Sequence, residues 1–264
     1  MRTAHPGRAR RGKEPLMPWR LATSYSDYLC QLSALLRDPV YYGVRVPPGQ
    51  GQPVLLVPGF MAGDWALTVM AGWLNRMGYR SYLSGIDWNI DCPNKTAERL
   101  RWRLDYITRE TKSPIVVVGH SLGGMLARFL VVNFPEQVCH AVALGSPIVN
   151  DALNVHPLVP LIFRSLLAVR RQRGDAAPMC GSPQCTCRFS RSAFSSLPQG
   201  VGFTSIFTKR DELVDWRSCI DPQGDNQQVS GRHIGLIVNR QVYRILARTL
   251  AGSQSGHAVV ATAQ

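Results

Sequence analysis

A serine hydroxyl is a weak nucleophile unless a base takes its proton, and an imidazole does this best when a carboxylate orients it. This chain carries all three groups in a usable order. Ser121 lies in Gly119-His120-Ser121-Leu122-Gly123-Gly124, directly after an apolar β-branched run at 115–118. Glycines around a lone serine suit a sharp strand-to-helix turn that pushes one hydroxyl outward. The helix behind it offers free N–H groups and a positive dipole end to an anion.

Where a serine is presented in this way, the acid and then the base follow it in the chain. Asp211 stands in a loop after a strand candidate at 202–207, with Asp215 and Glu212 as alternatives. Of the six histidines, His5 and His257 belong to polar ends, His120 is inside the turn and His140 is in mid-strand. His156 falls in an inserted region, where it could approach a substrate. His233, in Ser230-Gly231-Arg232-His233, occupies a loop before the last helix and is the chosen base. The oxyanion of a tetrahedral intermediate needs two donors. Leu122 N–H supplies one, and Phe60 N–H the other, with Met61 as the alternative in Pro58-Gly59-Phe60-Met61. Such donors contribute about 3 kcal/mol each to a transition state.

The elements needed to hold these groups are legible in outline. Strands are predicted at 54–57, 79–83, 115–118, 138–144 and 202–207, each a short buried run. Helices are predicted at 25–36, 65–77, 96–111, 123–134 and 234–250. Such alternation implies a mostly parallel sheet with helices on both faces, and reactive groups beyond the carboxyl ends of its strands. Residues 151–199 break the alternation and read as a cap. Its Leu158, Leu161, Ile162, Phe163, Leu166 and Leu167 line either an acyl site or the cap's own core. The predicted organisation is a disordered basic segment at 1–20, one α/β domain at 21–252 and a flexible tail at 253–264.

The net charge of +13 raises nucleic acid or an anionic surface as a partner. Arginines are scattered through predicted helices and aromatics make up only 8% of the chain, so no nucleic-acid partner is expected and weak membrane-surface contact stays open. The first residues lack the apolar stretch of a secretory signal, Met17 is a second candidate start, and no uninterrupted apolar run suits a spanning helix. That reading is cytoplasmic. Seven cysteines pull the other way. Cys30, Cys92 and Cys139 are expected to be reduced and packed, and a disulfide from Cys185 or Cys187 to Cys219 is expected. Zinc held by Cys180, Cys185, Cys187 and Cys219 is the weaker alternative, because their spacing is not that of common zinc modules.

Taken together, the turn GHSLGG, the segment LLVPGFMAG, LGSP after the next strand, TKRDELVD and GRHIGLIVN resemble the α/β-hydrolase superfamily, in particular its bacterial serine esterase and lipase branch. The resemblance spans residues 54–250. It departs from lipases at Pro58-Gly59, where His-Gly is usual. It implies ester hydrolysis through an acyl-enzyme on small-molecule or lipid-like esters, with neither cofactor nor metal. Thioesterase, amidase and acyltransferase chemistry would use the same triad. A dehalogenase would carry Asp at 121. A basic binding protein and a catalytically dead fold are the rivals outside that chemistry.

Overall fold

A computed structural model describes residues 18–148, 155–172 and 186–261. In chain order these form α1 (Pro18–Leu36), β1 (Pro53–Val57), α2 (Thr68–Arg76), β2 (Arg80–Leu83), α3 (Pro93–Thr111), β3 (Ile115–His120), α4 (Leu122–Asn133) and β4 (Val138–Leu144). They continue as α5 (Leu158–Gln172), α6 (Arg188–Ser192), β5 (Gly202–Phe207), β6 (Asp225–Gln228) and α7 (Arg240–Ala261). The strands make one sheet in the order β2-β1-β3-β4-β5-β6, every pair parallel.

Strand side chains alternate between two cores because a strand has a period of two. Val54, Leu56, Val116 and Val118 face one cluster with Leu35, Trp73 and Tyr243, so α1, α2 and α7 cover that side. Leu55, Val57, Ile115 and Val117 face the other with Leu100, Leu104, Leu126 and Leu130 of α3 and α4. Burial on both faces is what the unbroken apolar strands required.

Several boundaries differ from expectation for local reasons. The expected helix over 234–250 is two elements, a 3-10 turn Ile234–Val238 and then α7. Asn239 divides them by accepting the Gln241 N–H at 2.8 Å, the work of an N-cap. A 3-10 turn, Asp64–Leu67, precedes α2. β6 escaped notice because Asp-Asn-Gln-Gln has no apolar alternation; as an edge strand it pairs through backbone alone. α5 is continuous although Pro160 lies inside it, because that proline occupies the first turn, where no intrahelical N–H is lost. Among the described residues no helix is long and apolar enough to cross a membrane. Residues 1–17 of the expected basic segment lie outside the described residues. α7 extends into the stretch expected as a tail.

The cysteine expectations need correction. Cys187 and Cys219 are free thiols, and Cys92, expected reduced, is disulfide-bonded. Cys187 instead caps α6, its sulfur accepting the Ser190 N–H at 3.5 Å. Cys219 is fully buried, and burial followed by the charges of Asp211 and Asp215 drives its thiol pKa upward. No group of three or more metal-ligating side chains exists among the described residues, and Cys180 and Cys185 lie outside them.

One buried ion pair ties the layers together. Arg128 of α4 meets Asp221 at 2.8 Å, with both side chains at most 5% exposed. It also donates to the Ala193 and Ser195 carbonyls at 2.7 and 2.9 Å. Arg128→Ala would strand a carboxylate and two carbonyls, so urea unfolding should show a loss of about 3–5 kcal/mol. A loss below about 1 kcal/mol would mean that water reaches Asp221 freely.

Candidate active site

The turn after β3 is built around a strained serine. Ser121 has φ 54° and ψ −119°, outside the regions that side-chain-bearing residues prefer. Its N–H donates to Leu144 O at 2.8 Å, and its carbonyl accepts from Gly124 N–H at 3.0 Å, which holds the bend. The glycines on either side are there because backbone comes too close for a side chain. A Cβ on Gly119 would lie 2.0 Å from Gly123 O, and one on Gly123 would lie 2.2 Å from Val57 O.

His233 reaches this corner from the loop before the last 3-10 turn. Its ring Nδ1 lies 2.7 Å from Asp211 Oδ2, with both side chains at most 3% exposed. Asp211 Oδ1 accepts the Leu213 and Val214 N–H groups at 2.9 and 2.8 Å, so the carboxylate is aimed before the ring meets it. A carboxylate accepts, so Nδ1 carries the proton and leaves Nε2 as the basic nitrogen. Burial alone would lower the His233 pKa. The charge of Asp211, its hydrogen bond and the charge of Glu212 outweigh that and raise it above the usual histidine value.

The three expected residues do not form a continuous hydrogen-bonded chain. No hydrogen bond joins Ser121 Oγ to the His233 ring; the ring's bond is to Asp211. Such contacts are often long without substrate and tighten in the Michaelis complex. The two loops nevertheless touch. His120 Nε2 lies 3.0 Å from His233 O, and the two rings are 4.8 Å apart. Burial, then the neighbouring His233 charge, pull the His120 pKa down to about 3. His120 is therefore neutral at working pH, and its Nε2–H donates to the His233 carbonyl.

The alternative acids have other tasks. Glu212 is buried and accepts the Ser24 hydroxyl with one oxygen. Its other oxygen lies 3.4 Å from the His233 N–H and 3.9 Å from the Arg232 guanidinium. Asp215 caps the following 3-10 turn by accepting Arg217 N–H. Asp27 of α1 accepts the Arg232 N–H at 2.9 Å. The α1 partners of this loop, Ser24 and Asp27, leave no signal in the sequence, because nothing local marks a helix Asp or Ser as the partner of a loop some two hundred residues away.

Of the oxyanion candidates, Met61 N–H donates to Asn89 O at 3.1 Å, whereas Phe60 N–H has no backbone partner in the loop. Leu122 is the first residue of α4, where an N–H has no intrahelical acceptor. A Cβ on Gly59 would lie 3.2 Å from Ser121 Cβ, so this loop is packed directly on the bend.

The cap reaches the same corner. Phe163 packs edge-on against Phe60, with ring centroids 5.6 Å apart. Leu158, Leu161 and Ile162 are exposed, while Leu167 is fully buried, so the cap's apolar residues divide between surface and core. Arg170 pairs with Asp91 at the far end of α5. His156 is buried beside the acid loop, its N–H donating to Leu213 O at 2.7 Å.

Known proteins extend this description. A profile of the PGAP1-like alpha/beta domain matches residues 97–177, a segment that contains Ser121. No curated protein sequence matches significantly. Among solved structures, the chain is similar to a lipase, BlEst2, from Bacillus licheniformis: 14% identity, TM-score 0.56, with 78% of this chain and 94% of that one covered. It is similar to a structure described under two metagenome-derived lipolytic enzymes, LipS and LipT, at 15% identity and TM-score 0.55, covering 80% of this chain and 96% of that one. It is also similar to a monoacylglycerol lipase from Paleococcus ferrophilus at 15% identity and TM-score 0.54, covering 79% and 97%. At these identities the likeness is one of fold.

Proposed function

We propose that this chain, which has the α/β-hydrolase fold, is a serine hydrolase that cleaves carboxylic esters through an acyl-enzyme. The observation that carries the reading is the buried Asp211–His233 pair, 2.7 Å apart, held against a bend whose serine has a positive φ. A strained serine and an oriented imidazole have no structural use in common, whereas nucleophilic acyl transfer needs both. The lipases and esterases of like fold favour lipid-like esters as the substrate class.

In the proposed cycle, Ser121 Oγ attacks the ester carbonyl while His233 Nε2 takes its proton. Asp211 keeps the Nδ1–H in place and stabilises the imidazolium. Negative charge moves to the carbonyl oxygen, which accepts from the Phe60 and Leu122 N–H groups. The intermediate collapses, the C–O bond breaks, and the imidazolium gives its proton to the departing alkoxide. Water then attacks the acyl-enzyme with His233 as base, which releases the acid and returns Ser121.

A fluorophosphonate probe should label Ser121, and a p-nitrophenyl ester panel of rising acyl length should be hydrolysed, with a thioester arm to separate the two chemistries. Labelling at another residue, or no turnover of any member, would end the proposal. The pH profile makes a separate demand. Catalysis needs neutral His233, and its pKa is raised, so kcat/KM should climb with pH around a midpoint above 6.5. A midpoint below 6.5 would contradict the Asp211 partnership.

A further inference from the structure

We infer that Asn89 is a positioning residue that holds the second oxyanion donor in place, an inference that rests on the ester-hydrolase reading above. Asn89 is 1% exposed and lies in the loop between β2 and α3, some thirty residues from the peptide it braces. Its Nδ2 donates to Pro58 O at 2.8 Å. Its backbone accepts the Met61 N–H at 3.1 Å and donates to Ala62 O at 2.8 Å. The loop is therefore gripped on both sides of Phe60, whose own N–H, the proposed donor, has no backbone partner.

Three details indicate that the grip serves the site. Met61 is held at φ 58°, a left-handed conformation that a methionine keeps only when its surroundings impose it, and the bond to Asn89 does so. The Pro58 oxygen under Asn89 would lie 2.7 Å from a Cβ on Gly123, the neighbour of Leu122, so the braced peptide adjoins the other donor as well. Finally, Asn89 Oδ1 is buried with no hydrogen-bond partner among the described residues. Turning the amide over would only set oxygen against the Pro58 carbonyl. Stability alone gives no reason to keep an amide there whose acceptor is unmet. The arrangement makes sense if the Nδ2 contact to the loop is what matters.

Asn89→Asp keeps the size and, as the carboxylate, sets only acceptors against the Pro58 carbonyl; Asn89→Leu loses the donor and the orphan acceptor together. Both variants should lower kcat per titrated active site by about 10- to 100-fold, the scale of a catalytic group displaced by an ångström. KM should stay within twofold, because substrate in its ground state does not need the hole. The affinity of a trifluoromethyl ketone, whose hemiketal oxyanion occupies the hole, should weaken by the same factor as kcat. A purely structural role would lower the titrated active fraction and leave both quantities unchanged, and that result would overturn the inference. Amide hydrogen exchange on the wild-type protein adds a test that needs no variant. Met61 should be protected and Phe60 should exchange fast, becoming protected when the ketone binds. Equal exchange at Met61 and Phe60 in the free protein would also overturn it. Failure of the hydrolase reading would show differently, as wild-type protein whose Ser121 ignores the fluorophosphonate.

Discussion

Ser121→Ala is expected to lower kcat on a p-nitrophenyl ester by roughly 10⁶-fold, because serine, base and acid act as a unit and losing the nucleophile removes the covalent route entirely. What remains should be the smaller acceleration from two amide donors and substrate binding. Turnover within tenfold of wild type would place the nucleophile elsewhere. Ser121→Gly separates chemistry from folding. Glycine relieves the strain of φ 54°, so this variant should be as inactive as the alanine one yet more stable by about 1 kcal/mol in urea unfolding. A glycine variant less stable than wild type would show that the bend stores no strain and would remove one support of the serine's assignment.

Asp211→Asn should cost about 10⁴-fold in kcat with little change in fold. The asparagine oxygen can keep the Leu213 and Val214 N–H bonds at the Oδ1 position. Its amide nitrogen then faces His233 Nδ1 and can only donate. The ring proton moves to Nε2, and the base is lost toward Ser121 although every heavy atom is still in place. The charge that raised the His233 pKa is gone as well, so the acid limb of the pH profile should move to lower pH. Glu212→Gln is the contrast. Its oxygens hold the His233 backbone N–H and the Ser24 hydroxyl, not the ring. The loss should be far smaller. If Glu212→Gln costs more than Asp211→Asn, the acid has been assigned to the wrong carboxylate.

The groups that were legible in the sequence are those whose chemistry is local. A serine between glycines after a β-branched run fixes a bend through contacts within a few residues, and the structure shows such a contact at Gly119, where a Cβ would meet Gly123 O, whereas Gly123 is pressed against Val57 O of the neighbouring strand. Apolar strands alternating with amphipathic helices determine a parallel sheet because only two-sided cover buries such strands. The unpaired amide of Phe60, the pairing of Asp211 rather than Glu212 with the His233 ring, the contacts of Asn89, the ring of His120 on the His233 loop and the free Cys219 came only from three dimensions. Glu212 and Asp211 are adjacent in the chain, equally charged and both buried, and they differ in the group each one meets: Asp211 the His233 ring, Glu212 the His233 backbone N–H and the Ser24 hydroxyl. Hydrogen-bond partners some thirty to two hundred residues apart leave no periodic trace, because a single polar contact constrains one residue and not the pattern around it. The residue types and their order therefore came from local backbone sterics and hydrophobic alternation, while their division of labour came from the closing of distant loops on the carboxyl edge of the sheet.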